Sequence, residues 1–281
     1  MFTRNYYYLV AGLPDILLDE GKLKDGFADL RADIESNLHP DDVKLLKVLF
    51  LKFDNKNLLN LLTKGTEAFD PRGIYSPDFL EAEIKEPEKI LPYLKNFIIN
   101  FKSDNPLYPE SGWENELETY FYEYLLSLKN QFLREWFTLE LNFGNITTAL
   151  NCRQHNLSYE NEMIGSNFVV TAILRSNARD FGLTQDFPEI EPLLNAWESG
   201  NMLEREKAID LMKWQWIDDQ TFFEYFTIEK ILGFMLQLEI VERWMLLDSK
   251  EGEKMVQDLL RKLVKSYELP EDFKLQYITR K

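Results

Sequence analysis

Between Ser111 and Arg153, apolar residues recur at steps of three and four: Leu117, Phe121, Tyr124, Leu128, Phe132, Trp136, Leu139, Phe143, Ile146 and Leu150. Such steps lay one apolar stripe along one helix face. Ser111-Gly-Trp-Glu114 at the start has the form of a capping box, in which the Ser accepts from a backbone N–H three residues on and the Glu reaches back. Read as one element, residues 111–153 form a central helix, which at about 1.5 Å per residue would span roughly 65 Å. The expected fold is therefore all-α: an elongated multi-helix bundle packed along a long spine.

The rest of the chain supports that class. Only 12 Gly and 11 Pro punctuate 281 residues, which favours long helices over many short strands. With 45% hydrophobic and 14% aromatic residues a sizeable core can be buried. Tyr6 to Leu13 is an apolar run that could be a buried strand or a short first helix. Leu23 to Leu38 reads as a helix, as does Val43 to about Thr63 with Asp41-Asp42 as its cap. Ser76-Pro77 opens another, with Ser as N-cap and Pro at the first helical position. After the spine, Ser158 can cap a helix to about Phe181, and Thr184 to Pro188 is the nearest approach to a linker. Glu189–Glu198, Leu203–Ile217, Ile228–Leu247 and Glu251–Tyr267 complete about ten helices.

Charge and motifs narrow the function classes. The 32 Lys plus Arg against 48 Asp plus Glu leave a formal charge of -16, which repels phosphate backbones and argues against nucleic acid. An acidic surface suits a basic protein partner or serves solubility alone. Cys152 is the only cysteine, so no internal disulfide forms and a reducing compartment fits. The N-terminus lacks the long apolar region of a signal peptide, and no apolar run approaches about 18 residues; the expectation is a cytoplasmic protein. No phosphate-cradling glycine loop occurs. His39 and His155 lack metal-ligand partners at helical spacing, and Cys152 at a helix C-terminus is an inert thiol. Asp218-Asp219 and Glu239/Glu242 fit either acid–base or divalent-ion chemistry, or a solvated face. Trp197, Trp214, Trp216 and Trp244 with Phe222, Phe223 and Phe226 fit either a core or an exposed partner surface. No catalytic, cofactor or metal site is expected.

Three segments superpose without gaps: Phe53 to Gly65, Leu141 to Arg153, and Leu238 to Lys250. Each carries a polar pair three residues apart, Asp54/Asn57, Asn142/Asn145 and Glu239/Glu242, at spacings of 88 and 97 residues. Positions three apart share a helix face, so each pair can address one partner group. Three such helices suggest a threefold-repeated architecture.

The second of these, continuing into Leu157-Ser-Tyr-Glu160, resembles the recurring motif of the C-type component of the V-type rotary ATP synthase, called the d-type component in the eukaryotic pump. Leu232 to Arg243, continuing to Asp272, is similar to that family's C-terminal copy, and Tyr6-Tyr-Tyr-Leu-Val to its first helix. Asn142 stands where the family has an acid, Glu242 replaces an Asn, and Gly65 and Lys250 replace the Arg, as in a divergent bacterial branch. The resemblance implies a funnel of three helical units, 1–105, 106–188 and 189–281, within one continuous domain. It further implies a non-catalytic component that sits on the membrane rotor ring, receives the central stalk and passes torque for proton or sodium transport. Localisation would be peripheral, at the inner membrane face through the complex. Asp54, Asn57, Asn142, Asn145, Arg153, Glu239, Glu242 and Arg243 are then the candidate partner-binding residues. A freestanding acidic helical adaptor with an unrelated protein partner is the alternative.

Overall fold

Three of the helices open where the sequence places a proline, because the missing N–H costs nothing in a first turn. In the computed structural model, which describes residues 4–14, 16 and 26–248, these are α3, α5 and α6 of twelve α-helices. In chain order they are α1 (Tyr7–Gly12), α2 (Phe27–Asn37), α3 (Pro40–Val48), α4 (Leu51–Thr63), α5 (Pro77–Lys85) and α6 (Pro92–Lys102). There follow α7 (Gly112–Leu126), α8 (Gln131–His155), a 3-10 turn at Glu160–Glu162, α9 (Phe168–Arg175), α10 (Ile190–Glu198), α11 (Met202–Thr221) and α12 (Ile228–Asp248). No strand occurs among the described residues, and the fold is all-α. The helix expected over Glu251–Tyr267, and the resemblance from Ser249 to Asp272, lie outside the described residues.

The long spine is not one helix. It folds into the antiparallel pair α7 and α8, which pack on one another, with Phe121 and Phe137 rings 6.3 Å apart. The break is built from side chains: Asn130 accepts the Leu133 N–H at 2.9 Å as the N-cap of α8. Arg134 donates to the Leu128 and Lys129 carbonyls at 2.7 and 3.0 Å, collecting the loose end of α7. Both helices turn their apolar stripes to the same core, so periodicity runs through a corner that it cannot register. The capping box also fails: Ser111 takes a helical backbone (φ -98°, ψ -13°) and its side chain makes no cap bond.

Two further expected helices are divided. Residues 43–63 split into α3 and α4 at Leu49 and Phe50, both buried, and the cap of α3 is His39, whose Nδ1 accepts the Asp41 N–H at 3.2 Å. Asp41 and Asp42 fall in its first turn. Residues 158–181 hold only the 3-10 turn and α9, with Asn167 capping α9 through the Val170 N–H at 3.0 Å. Residues 184–188 are not a linker, since Phe187 is buried against Phe143 at 5.6 Å. The ambiguous Tyr6–Leu13 run is a short helix, and the Ser76 cap is as expected, accepting the Phe79 N–H at 3.3 Å.

Helix lengths repeat. The succession α4 to α7 runs 13, 9, 11 and 15 residues. The succession α8 to α11 runs 25, 8, 9 and 20. Each is long, short, short, long. Packing repeats as well: α6 lies on α7 as α10 lies on α11, and α7 returns onto α8 as α11 returns onto α12. The two successions begin on α4 and α8, two of the helices that carry the polar pairs.

Candidate functional site

Helix α4 turns Asp54 and Asn57 to the loop that follows it. Asp54, fully buried, accepts the Ile74 N–H at 2.9 Å and the Tyr75 N–H at 3.0 Å. Asn57 donates to the Asp70 carbonyl at 2.9 Å and accepts the Asp70 N–H at 2.8 Å. Gly73 sits so close that a Cβ there would lie 2.4 Å from Asp54 Oδ1. Burial pushes the Asp54 carboxyl up to about 6, against the pull of the two amides and of Arg31.

Helix α8 repeats the device. Asn145 donates to the Ile164 carbonyl at 3.0 Å and accepts the Ile164 N–H at 2.8 Å. Asn142 accepts from Asn167 Nδ2 at 2.8 Å, and Asn167 is the cap of α9. In both copies the i+3 Asn clamps one residue's N–H and carbonyl in the loop, and residue i holds the entry to the next helix. All four side chains are buried: they fasten loops from within and present no surface to a partner.

Arg153, the last polar member of the second copy, donates to the Ser176 and Ala178 carbonyls, both at 2.7 Å, and its guanidinium lies 3.8 Å from the Phe181 ring centroid. It thereby collects carbonyls at the end of α9. Gly65 occupies the matching position in the first copy, and Lys102 from α6 serves α5 instead, donating to the Ile84 and Lys85 carbonyls at 3.0 Å each. Lys102 carries no sequence signal, since its role depends on a neighbour in space.

The third pair behaves differently. Glu239 of α12 forms an ion pair with Lys52 of α4, and Glu242 lies 3.5 Å from Arg72. Arg72 sits on the loop clamped by Asp54 and Asn57, and it also binds Asp70 at 2.7 Å. Burial raises the Glu242 carboxyl, with Arg72 pulling it back. Arg243 pairs with Asp210, which is buried, and with Glu206 at 3.1 Å. The Trp244 Nε1 also donates to Asp210, at 2.6 Å.

These contacts converge on a charged crevice where α4, α8, α11 and α12 meet. Lys213 of α11 binds Glu140 of α8 at 2.8 Å, each side chain 20% exposed. Burial works against the Lys52 ammonium, but Glu239 and Glu140 together raise it above its ordinary value. Burial likewise works against Glu140, and Lys213 and Lys52 hold its carboxyl below the usual range. Lys52 thus stands between carboxylates of α8 and α12, at the junction of all three motif helices. Beside this cluster a cleft of about 490 Å³ opens between α8 and the α10–α11 pair, lined by Glu140, Gly144, Thr147, Trp197, Arg205 and Lys213. The Arg205 guanidinium stacks over Trp197 at 3.6 Å.

The remaining candidates are accounted for locally. Cys152 is buried, His155 is the exposed last residue of α8, and Asp218 and Asp219 are exposed and bound to Gln237 and Gln215. Trp216 packs against Phe132 and Trp136, both at 5.6 Å, but Phe222 and Phe223 stand in solvent. Among the described residues, no group of three His, Cys, Asp or Glu is placed to hold a metal ion, and no helix is long and apolar enough to cross a membrane.

Among curated proteins and among solved structures, nothing matches the chain. A family model described as "Protein of unknown function (DUF2764)" matches residues 3–267, nearly the whole length, and the chain belongs to that family.

Proposed function

We propose that the chain is a non-catalytic component of a V-type rotary ATPase, of the C-type that couples the central stalk to the membrane rotor ring. The observation that carries this reading is the repeated clamp. The same two-point Asn bonds recur on α4 and α8, two of the three helices that carry the repeated motif. The third motif helix, α12, is fastened to the first unit by Lys52–Glu239 and Arg72–Glu242.

Such an arrangement suits torque. A load entering one helix passes to the next only as far as the intervening loop resists, and a loop pinned by two-point hydrogen bonds from a buried Asn yields little. The partly exposed charges of the crevice are then available to a stalk end, and their alternating signs would fix its rotational register. The membrane-side position follows from the same reading, through the ring and not through a span of the chain's own.

The test is affinity purification of the chain from its native cells in mild detergent, read by mass spectrometry. Recovery of the stalk and ring proteins of a rotary ATPase is the expected result. A clean preparation without them overturns the proposal and leaves a helical adaptor with another partner.

A further inference from the structure

The turn between α11 and α12 exposes aromatic rings that the core could have taken. Phe222 is 65%, Phe223 77% and Tyr225 63% exposed. The turn is held in shape, with the Glu224 N–H on the Thr221 carbonyl at 3.0 Å and Thr227 Oγ1 on Glu224 at 2.7 Å. Helix α1 lies against it: the Tyr6 N–H donates to the Phe226 carbonyl at 2.7 Å, and the Tyr7 and Phe226 rings are 4.7 Å apart. The Tyr6 hydroxyl anchors α1 to buried Asp42. That anchoring leaves Tyr8, 96% exposed, and Tyr7 pointing outward beside the turn. Five exposed rings on two adjoining elements exceed the scattered apolar residues of an ordinary surface.

Along the α11–α12 turn the charge is of one sign, and on the α1 side Arg4 is paired with Asp41 and Asp42, both at 3.4 Å. Between Lys213 and Lys230 the chain carries Asp218, Asp219, Glu224 and Glu229 and no Lys or Arg. The two flanking lysines are engaged, Lys213 with Glu140 and Lys230 with Thr221 Oγ1 at 3.4 Å. An anionic lipid surface is repelled by such a rim, and a second copy would bring the same acids against themselves. A basic amphipathic protein segment satisfies both features: apolar anchors seat among the rings, and Lys or Arg meet the carboxylates. We propose that the α11–α12 turn and α1 together form a docking surface for such a segment of a partner protein. This inference does not rest on the rotary reading.

The probe is a labelled synthetic Leu/Lys amphipathic helix of about 20 residues, titrated against the full chain by fluorescence anisotropy. Phe222→Ser/Phe223→Ser leaves the charge unchanged, and it should weaken binding about tenfold or more. Tyr8→Ser, at a nearly fully exposed position that cannot harm the fold, should weaken it about threefold or more. Asp218→Asn/Asp219→Asn should flatten the salt dependence. Equal binding by the wild type and both ring variants overturns the proposal in favour of unspecific charge attraction. Ring-dependent binding to zwitterionic phosphatidylcholine vesicles, without ring-dependent peptide binding, overturns it in favour of a lipid surface. A concentration-dependent dimer abolished by Phe222→Ser/Phe223→Ser overturns it in favour of a second copy.

Discussion

Asn145 holds both backbone polar groups of Ile164, donating to its carbonyl at 3.0 Å and accepting its N–H at 2.8 Å. Asn57 does the same to Asp70. A carboxamide offers a donor and an acceptor side by side, as a neighbouring strand would. The pairing lets a loop pass over a helix without leaving its backbone groups unpaired.

Asn145→Ala should therefore destabilise the fold by about 1–3 kcal/mol, because it removes two bonds and leaves the partly buried N–H and C=O of Ile164 without their partner. Asn57→Ala should cost a similar amount if the two clamps are equivalent. Urea unfolding gives both values, and amide exchange at Ile164 should quicken in the first variant alone. Losses below about 0.5 kcal/mol would mean that water replaces the clamp.

Gly73→Ala is expected to destabilise by about 1–3 kcal/mol through overpacking. Its Cβ would lie 2.4 Å from Asp54 Oδ1 and 3.0 Å from Asp54 Cγ. That carboxylate is fully buried and fixed by its amide bonds, so it cannot swing aside as an exposed side chain would. Gly26→Ala is the control, since the nearest atom to its Cβ would be Asp29 Oδ2 at 3.5 Å. Equal melting temperatures for the two variants would show that the loop at Gly73 relaxes freely.

The helical class was legible because apolar steps of three and four survive any arrangement of the helices that carry them. The polar pairs were legible for the same reason, being short-range spacings on one element. Their partners were not: Asp70, Ile164 and Asn167 lie 13 to 25 residues away, in loops without periodicity. The corner at residues 127–130 was hidden because α7 and α8 face one core and keep the stripe in step across it. Lys52 carries no signal in the sequence, and only the meeting of α4 with α12 makes it a junction.

Acidity carries a sign that can be checked at Glu118. Burial pushes its carboxyl up to about 7, with Glu114 and Glu140 adding to the rise. A carboxyl raised in the folded state binds more protons folded than unfolded, so its burden on stability grows as pH rises from its unfolded value through about 7 and is then constant. Glu118→Gln removes that burden. The melting temperature should therefore gain more from the substitution at about pH 8 than at about pH 5. Equal gains at the two values would place Glu118 in ordinary solvent.

Asn130 ties two of the motif helices together at one point. Its Oδ1 caps α8 through the Leu133 N–H at 2.9 Å, and its Nδ2 donates to Glu229, in the first turn of α12, also at 2.9 Å. Asn130→Ala loses both contacts and should cost about 1–2 kcal/mol. Asn130→Asp keeps an acceptor for the cap and sets a second carboxylate against Glu229, so it should also destabilise, and more at low salt. Adding Glu229→Gln restores a donor opposite the new acid, and the double variant should return to within about 0.5 kcal/mol of the parent. If Asn130→Asp alone is as stable as the parent, the cap is the whole of its role. If the double variant fails to recover, α8 and α12 are held together by other contacts, with Lys52 between Glu140 and Glu239 the first to remove.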